Sequence, residues 1–397
     1  MKEKLLIIWR RLLLISLMVA MSPLVIVIRI LRPFVIIRFG ELIARRVGHF
    51  SGDTEMYLCE RNTGKYPRNT FDIFFYRNPV SNQQLLTMWR RTLRIWNFWI
   101  AYPIYRANLI FPSFSAHTIK IPSNRDVQGL LAITPVHLYF TQEEEECGQA
   151  QLLKLGIARG REFVCFIARD SAYLDTVYPQ HNWHNHNYRD SSVSNYLPAA
   201  EELTRRGYFA LRMGAIVKQA LDTPNKMIID YATKYRTEFL DIYLSSKCRF
   251  FIGSGCGIDE VPAVFRRPIM LVNYIPIEYV HTWHPVYLFI TKKIWSKKDG
   301  RFLSYKEIIS SGIGSFGKEE SDEYEKLGFE IVENTPEEIF DLAVEMDERL
   351  KGTWRDSPED EELQMSFRSV FSSSNKHGKI VSRIGSEFLR KNKALLG

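Results

Sequence analysis

Short apolar runs alternate with longer segments of mixed character along most of the chain. Runs of this length, bounded by polar residues or glycine, are typical of strands buried on both faces, and the segments between them favour helices. Strands that alternate with helices predict an α/β fold with a parallel sheet covered on both faces. Ligands of such sheets bind beyond the carboxyl ends of the strands.

A chain of 397 residues predicts two globular units, because one ordinary core rarely grows so large. We place the first unit at 33–155, the second at 156–350 and a helical extension at 351–397. The runs predicted to be strands are 34–37, 56–58, 71–75, 130–133, 163–168, 208–212, 227–230, 249–253 and 269–272. The segments predicted to be helices are 41–47, 142–156, 195–206, 237–246 and one that begins near Glu260.

The first 32 residues predict membrane attachment. The run from Leu12 to Ile28 has no charged residue and lies at the short edge of what crosses a bilayer, for which about 20 apolar residues are usual. Pro23 predicts a kink inside it. Lys and Arg residues flank both ends, which leaves open a spanning helix and a kinked helix that enters and leaves by the cytoplasmic side. A signal peptide is disfavoured because no small-residue cleavage site follows before the next Arg.

The basic charge of the protein is concentrated in its first part. Residues 1–110 contain 17 Lys and Arg against 6 Asp and Glu, a net charge of +11, so the remainder carries −3 of the total of +8. This asymmetry favours membrane lipid as a partner. The segment from Leu85 to Tyr105 mixes Trp with Arg and fits either a lipid-headgroup boundary or a core helix. No basic run or zinc-finger spacing indicates a nucleic-acid partner. Five widely spaced cysteines, with no Cys-x-x-Cys, predict free thiols in a cytosolic setting.

Polar residues and glycines follow three of the predicted strands. Because the ends of parallel strands meet at one edge of a sheet, we expect these residues to lie together. The glycine-rich turn before Glu260 leads into a helix start, which offers N–H groups to a phosphate, and arginine can bind a diphosphate with two hydrogen bonds. Each feature alone fits an internal ion pair or an ordinary turn, but together they predict a site for the diphosphate leaving group of a nucleotide sugar. The residues are Arg169, Asp170, Ser171, Arg212, Gly214, Ser254, Gly255 and Gly257.

Eight short motifs along the chain are specific enough to compare with known families: Arg38–Gly40, Arg46–Phe50, Glu55–Glu60, Arg169–Leu174, Tyr188–Ser191, Asn195–Ala200, Arg212–Gly214 and Phe239–Tyr243. Together they resemble a bacterial family of glycosyltransferases encoded in surface-polysaccharide (O-antigen and capsule) gene clusters, and the resemblance extends from about Arg32 to the C-terminus. It implies a GT-B-like fold, in which two Rossmann-like domains face a cleft. The second half also resembles, distantly, fucosyltransferase-like enzymes, which implies that Arg169 and Ser254 hold the donor diphosphate; Ile167 departs from the His that relatives often carry. The resemblance extends the predicted donor site to Tyr188, Arg189 and Glu260.

The resemblance also implies the partners: a nucleotide-sugar donor and a lipid-linked or glycan acceptor, at the cytoplasmic face of the bacterial inner membrane, with no metal and no cofactor. The loop with His181, His184 and His186 lacks nearby carboxylate or Cys ligands, so we interpret it as exposed or substrate-facing. A transferase of another group, such as pyruvyl, and an inactive scaffold of a polysaccharide assembly complex are the alternatives.

The catalytic base is expected in the first unit, where GT-B acceptors bind. His49 and Glu55 are the candidates, because an imidazole or a carboxylate there could deprotonate an acceptor hydroxyl. The alternative is that His49 caps a helix and Glu55 pairs with Arg46. Asp170 and Asp190 are the next candidates. Arg169 completes the predicted catalytic set through the leaving group.

Overall fold

The computed structural model describes residues 2–123, 125–315, 321–371 and 380–397. The chain forms two compact units: Met1–Asn124 with Thr134–Tyr139, and Arg125–Ile133 with Phe140–Gly397. The segment 142–154, predicted as the end of the first unit, therefore lies in the second. The predicted extension 351–397 also belongs to the second unit.

A small parallel sheet lies at the centre of the first unit. Its two strands pair with Ile36 opposite Thr70, and single bridges from Thr118 and Ile95 extend it on either side. This two-stranded sheet is smaller than the sheet of the Rossmann-like domain that was predicted for the first unit. The elements of the unit are α1 (Lys2–Ile30), β1 (Ile36–Leu42), α2 (Thr54–Asn62), β2 (Thr70–Tyr76), α3 (Gln83–Thr92) and α4 (Phe98–Asn108).

Among the predicted elements of this unit, the strand at 71–75 is confirmed, and that at 34–37 lies two residues later, as β1. The predicted helix at 41–47 is wrong because β1 continues to Leu42. The predicted strand at 56–58 is also wrong, since it lies inside α2. Residues Thr54–Glu60 are all buried, so this part of the helix has no face exposed to solvent. The helical period is then missing from the sequence, and periodicity cannot distinguish its apolar run from a strand.

Helix α1 packs against α4 with one face of its second half. Val25 and Ile28 are buried against Ala101 and Ile104, and Leu14, Met18 and Met21 cover the same cluster. At its end, the Arg29 guanidinium donates hydrogen bonds to Asn108 Oδ1 at 2.8 Å and to the carbonyl oxygen of Pro112 at 2.6 Å. The last turns of α1 therefore belong to the core of the first unit.

Removing residues 1–32 is expected to destabilise the first unit, because it exposes the surface that Val25 and Ile28 cover. Burial of such a side chain contributes about 1.5–3 kcal/mol, so the loss should be about 3 kcal/mol or more. Thermal unfolding in mild detergent measures it. Removing only residues 1–11 keeps the packed face and should leave the melting temperature unchanged; equal melting temperatures for both truncations would contradict the packing of α1.

A seven-stranded sheet lies at the centre of the second unit. Its order is β12-β8-β7-β6-β3-β4-β5 and every neighbouring pair is parallel. The strands are β3 (Phe163–Phe166), β4 (Phe209–Arg212), β5 (Ile228–Ile229), β6 (Phe251–Gly253), β7 (Ile269–Tyr274), β8 (Leu288–Thr291) and β12 (Arg383–Ile384). A separate antiparallel sheet has the order β10-β9-β11, formed by β9 (Lys293–Ser296), β10 (Arg301–Phe302) and β11 (Phe329–Val332). The predicted α/β architecture with a parallel sheet is confirmed in this unit.

The helices of the second unit follow the predicted alternation, except at 130–133, which is a helical turn and not a strand. The last part of the chain adds strand β12 to the sheet, and Phe367 packs on Phe289 and Tyr305. The helices are α5 (Leu130–Ile133), α6 (Gln142–Lys154), α7 (Ala172–Val177), α8 (Leu197–Arg205), α9 (Tyr231–Lys234), α10 (Glu238–Lys247), α11 (Glu260–Val264), α12 (Tyr305–Ser310), α13 (Ser321–Lys326), α14 (Pro336–Lys351), α15 (Pro358–Val370) and α16 (Ser386–Lys391).

The order of the strands places a topological switch point between β3 and β6. From β3 the chain adds β4 and β5 on one side, and then returns to add β6, β7 and β8 on the other. The connections after β3 and β6 therefore leave the sheet in opposite directions, which opens a crevice at their carboxyl ends. Arg169 follows β3 and Ser254 follows β6.

Candidate functional site

Arg169 and Ser254 meet at the switch point of the second unit, as their positions after neighbouring strands predicted. The backbone N–H of Arg169 donates a hydrogen bond to Ser254 Oγ at 3.1 Å, which joins the two strand ends. Both residues are buried, with 8% and 2% of their surface exposed. The hydroxyl hydrogen of Ser254 is not used in this bond and can serve as a donor.

Three cationic side chains surround Asp190 beside this junction. The Arg169 guanidinium donates to the Asp190 carboxylate and, at 3.1 Å, to the carbonyl oxygen of His186. The Lys292 ammonium donates to the Asp190 carbonyl oxygen, and the Lys218 ammonium lies 4.0 Å from the Asp190 carboxylate. The charges of Arg189, Asp170 and Glu333 also act on this cluster, so four cations stand against three carboxylates, and the remaining positive charge favours an added anion.

Burial and like charges perturb the pKa values of this cluster. Burial, and then the charge of Arg189, lower the pKa of Arg169. Burial lowers the pKa of Lys292 to about 8, although Glu333 and Asp190 oppose the shift. Burial raises the pKa of Asp190 against the opposing charge of Arg169. A bound phosphate would relieve the repulsion among the cations, so the cluster favours a multiply charged anion.

The glycine-rich turn after β6 is filled by a carboxylate of the protein itself. Asp259 accepts a hydrogen bond from the Cys256 N–H at 2.9 Å, and the N–H of Gly255 also binds it. A Cβ on Gly253 would lie 2.6 Å from this carboxylate, which explains that glycine, and Gly255 has φ +72°. The prediction that this turn and Gly257 offer free N–H groups to a phosphate is therefore corrected, since Asp259 occupies the concavity.

Asp259 should make the stability of the protein pH-dependent, because burial raises its pKa from 3.8 to about 6. Its contribution to stability is complete below pH 3.8, decreases as the unfolded chain ionises first, and is lost once pH passes about 6. Replacing Asp259 with Asn should remove a decrease of about 3 kcal/mol between these limits. Chemical denaturation of both proteins from pH 4 to 7 measures it; parallel curves would show that the carboxylate is not buried in solution.

Arg212 and Gly214 are not part of the cluster. The Arg212 side chain is 1% exposed and donates to Asp230 Oδ1 at 3.2 Å and to the carbonyl oxygen of Gln219. Burial would raise the pKa of Asp230, but hydrogen bonds from Thr233 and Leu221 and the charge of Arg212 outweigh it and lower the pKa. Arg212 therefore forms an internal ion pair, and its prediction as a diphosphate ligand is corrected. Gly214 forms the turn after β4, where φ is +150°.

Among the other residues predicted to bind the nucleotide-sugar donor, Asp170, Ser171 and Arg189 form hydrogen bonds within the protein. Asp170 accepts hydrogen bonds from the Ala172 and Lys218 N–H groups, and Ser171 donates to Asp175 at the start of α7. Arg189 donates to the carbonyl oxygen of Gly255, and the Tyr188 ring lies 5.8 Å from that of Tyr324.

Glu260 lies 3.6 Å from Nε2 of His281. Burial, with a smaller effect of Arg125, lowers the pKa of His281 to about 3, so this contact joins a carboxylate to a neutral ring. In the His-rich loop, the rings of His181 and His186 pack on Trp183. The backbone of this loop orients Arg169 through the His186 carbonyl group.

A histidine–aspartate pair begins the helical segment after β1 in the first unit. His49 Nδ1 lies 2.9 Å from Asp53 Oδ2 within a π-helical turn, His49–Asp53, that leads into α2. The His49 side chain is 38% exposed, whereas that of Asp53 is 6% exposed. The carboxylate holds Nδ1 of this partly exposed ring, which is the arrangement of an oriented general base. Its neighbour Gly48 occupies the N-cap position, so the capping alternative for His49 is not what the structure shows.

Glu55 is completely buried and is bound to a histidine that the sequence analysis did not identify. His137 Nδ1 lies 3.0 Å from Glu55 Oε1, and Asn62 Nδ2 lies 2.8 Å from His137 Nε2. The predicted pair with Arg46 is replaced by this one. A side chain with no exposed surface cannot reach an acceptor hydroxyl, so His49 is the better placed of the two predicted bases.

The same pair belongs to a group of donor atoms that could hold a metal ion. The ligand atoms of Glu55, Cys59 and His137 lie within 4.8 Å of one another, the one such group among the described residues. A thiolate, an imidazole and a carboxylate form a donor set that zinc accepts. In the present hydrogen-bond arrangement both ring nitrogens of His137 have partners within the protein: Nδ1 donates to Glu55, and Nε2 accepts from the Asn62 amide.

Five residues of the two sites were missed by the sequence analysis: Asp53, His137, Lys218, Lys292 and Asp259. A signal existed for Lys292, because it follows the apolar run Leu288–Thr291 as Arg169 follows β3. A signal also existed for Asp53, because it lies four positions after His49, and residues at this spacing are neighbours on the surface of a helix. No local signal connects His137 with Glu55, which are 82 positions apart.

No known protein-family profile matches the chain, and no curated protein matches it. Among solved structures, the ADP-heptose lipopolysaccharide heptosyltransferase II of E. coli is similar at 12% identity and a TM-score of 0.40, over 64% of this chain and 90% of that one. A family 9 glycosyl transferase from Veillonella parvula is similar at 12% identity and 0.39, over 72% and 91%. The iron-containing dodecameric glycosyltransferase TibC of enterotoxigenic E. coli is similar at 10% identity and 0.35, over 64% of each chain. All three of these structures are glycosyltransferases, and each TM-score is below 0.5.

Proposed function

We propose that the protein is a glycosyltransferase that moves a sugar from a nucleoside-diphosphate sugar to a hydroxyl group of a lipid-linked or surface-polysaccharide acceptor. The observation that carries the proposal is the cationic cluster of Arg169, Lys292 and Lys218 around Asp190 at the switch point of a parallel sheet. A cluster of this kind, in a crevice at strand ends, suits a diphosphate better than a singly charged group.

Each unit by itself carries residues whose chemistry the proposed reaction needs: a candidate base in the first unit and the cationic cluster in the second. The acceptor oxygen forms a bond to the anomeric carbon while the bond from that carbon to the diphosphate oxygen breaks. His49 Nε2 takes the acceptor proton, and Asp53 stabilises the resulting imidazolium. Arg169 and Lys292 stabilise the charge that develops on the departing diphosphate. The predicted independence of a metal remains a prediction, which activity after exhaustive chelation would test.

The alternative of an inactive scaffold keeps one observation in its favour. Asp190 and Asp259 are carboxylates of the protein that already bind the Arg169 guanidinium and the N–H groups of the glycine-rich turn, the groups proposed or predicted to bind phosphate. In an enzyme, the donor must displace or share these contacts; in a scaffold, they would be permanent. Among the described residues of the second unit, no contact favours a pyruvyl transferase.

A panel of nucleotide sugars separates these functions, with release of nucleoside diphosphate as the measurement. ADP-heptose belongs in the panel because it is the donor named for the similar heptosyltransferase. We expect one nucleotide class to give release that is lost in Arg169→Ala and kept in Arg161→Ala. The exposed Arg161 guanidinium contacts the Gly207 carbonyl group, and Arg161 precedes β3, at the opposite end of the strand from Arg169. Calorimetry with free nucleoside diphosphates provides the second test. No binding of any nucleotide by the folded protein would favour the scaffold.

A further inference from the structure

Helix α1 has two apolar faces, and only one of them is covered. The covered face consists of Leu14, Met18, Met21, Val25 and Ile28, which pack on the core of the first unit. The opposite face is exposed along the same length; its residues are Leu12, Ile15, Val19, Ile26 and Ile30, each between 49% and 68% exposed. Both sets repeat at intervals of three and four residues, so they are separate stripes on one helix.

The covered stripe limits how α1 can meet a membrane. It is held against α4, and α4 packs on β2 through Ile73 and Phe75. On the same strand, Asp72 forms a buried ion pair with Arg38, with an N–O distance of 2.6 Å. A bilayer core that surrounded α1 on all sides would have to enclose α4 and this strand, and burying such charges in hydrocarbon is costly.

By length and composition alone, the segment Leu12–Ile30 could cross a bilayer. The residues before it include Lys2, Glu3, Lys4, Arg10 and Arg11, so the apolar run cannot be longer. One face of the run packs on protein and ends in the buried Val25 and Ile28, so this face is not available to lipid. An in-plane position removes the conflict, because one stripe can stay on the protein while the other enters the acyl boundary.

The surface beside α1 has the composition of a membrane boundary. Trp96, Trp99 and Ile100 are 40–50% exposed at the start of α4, and Ile110 after its end is 72% exposed. Exposed arginines accompany them, including Arg32 and Arg106. With a net charge of +11 over residues 1–110, the unit complements an anionic leaflet.

We propose that the first unit is monotopic: α1 lies in the plane of an anionic bilayer leaflet with its exposed stripe inserted, and does not cross the membrane. This proposal refines the localisation within the proposed function but does not depend on the transferase activity. It also gives the unit that carries His49 a position at the lipid surface, where a lipid-linked acceptor would be found.

The binding arm of the test uses sedimentation with vesicles of phosphatidylglycerol and phosphatidylethanolamine, and with neutral phosphatidylcholine vesicles. Ile15→Glu and Val19→Glu add charge to exposed positions of the stripe, so the fold should be kept. We expect each to lower the partition coefficient on anionic vesicles about tenfold or more. Leu153→Glu is the matched control, since Leu153 is 57% exposed on α6 of the second unit. Binding that is unchanged in both stripe variants would overturn the proposal.

The topology arm uses a membrane-impermeant maleimide on inner-membrane vesicles and spheroplasts. A Glu3→Cys variant marks the start of α1, and the exposed Cys147 marks the second unit. In-plane attachment predicts that both thiols react from the cytoplasmic side only. Reaction of the Glu3→Cys thiol only from the periplasmic side would show that α1 spans, even if vesicle binding is lost as expected. Neither arm measures catalysis, so failure of the glycosyltransferase assay would leave this proposal intact.

Discussion

Replacing His49 with alanine is expected to lower turnover about 10²–10⁴-fold and to leave the affinity for the nucleotide unchanged. Loss of a general base usually has an effect of this size. The affinity should hold because His49 belongs to the first unit, whereas the diphosphate cluster lies entirely in the second. Steady-state kinetics with the best donor of the panel, together with nucleotide calorimetry, measures both quantities.

Two further variants decide whether His49 acts as a base. Asp53→Asn should reduce turnover less than His49→Ala, because it removes the partner that orients Nδ1 and leaves the imidazole in place. Added imidazole should rescue the alanine variant alone. Glu55→Gln is the matched control. Glu55 is completely buried against His137, so this change should lower the melting temperature and leave the turnover of the folded fraction nearly unchanged. Full turnover in His49→Ala would refute the assignment.

Replacing Arg169 with alanine is expected to weaken nucleotide binding roughly 10- to 150-fold and to reduce turnover with it. A hydrogen bond to a charged group contributes about 1.5–3 kcal/mol, which corresponds to this range. The turnover should fall too, because the charge on the diphosphate grows as the sugar departs. Calorimetry with the nucleoside diphosphate and kinetics at saturating donor separate the two effects.

An Asp190→Asn variant gives the opposite expectation and so tests the same site from the other side. Removing this carboxylate leaves Arg169, Lys218 and Lys292 with less internal neutralisation, so nucleotide affinity should rise while stability falls. If the cations exist only to neutralise Asp190, neither variant will change nucleotide affinity. That result would move the donor site away from the switch point.

The sequence pattern predicted the parts of the fold that depend on local periodicity. The length and the flanking residues of continuous apolar runs such as Phe163–Phe166 predicted buried strands, and this strand is present. The predicted helix from Gln142 is also present, and a capping box at Thr141 begins it. The pattern was misleading at Met56–Leu58, where a helix is buried on all sides. Helix and strand have the same apolar signature under that condition, and only packing distinguishes them.

The sequence predicted the part of the candidate site that depends on where strands end. Arg169 and Ser254 were placed together because parallel strands end at one edge, and the structure joins them by a hydrogen bond. Arg212 also lies at the end of a strand, but it does not contact Arg169 or Ser254, because it forms an ion pair with Asp230, which follows the adjacent strand β5. The order of strands within the sheet decides which neighbour each strand end meets, and that order is not written in the residues beside the strand.

The sequence by itself therefore determined the alternation of strands and helices, the apolar first helix and the presence of charged residues after the strands. Tertiary structure alone decided the strand order, the partners of those charges, and which stripe of α1 is covered. It also brought His137 to Glu55 and Asp259 into the glycine turn. Local patterns depend on residues a few positions apart, whereas each of these pairings requires the free energy of packing across the whole unit to bring strands and loops together.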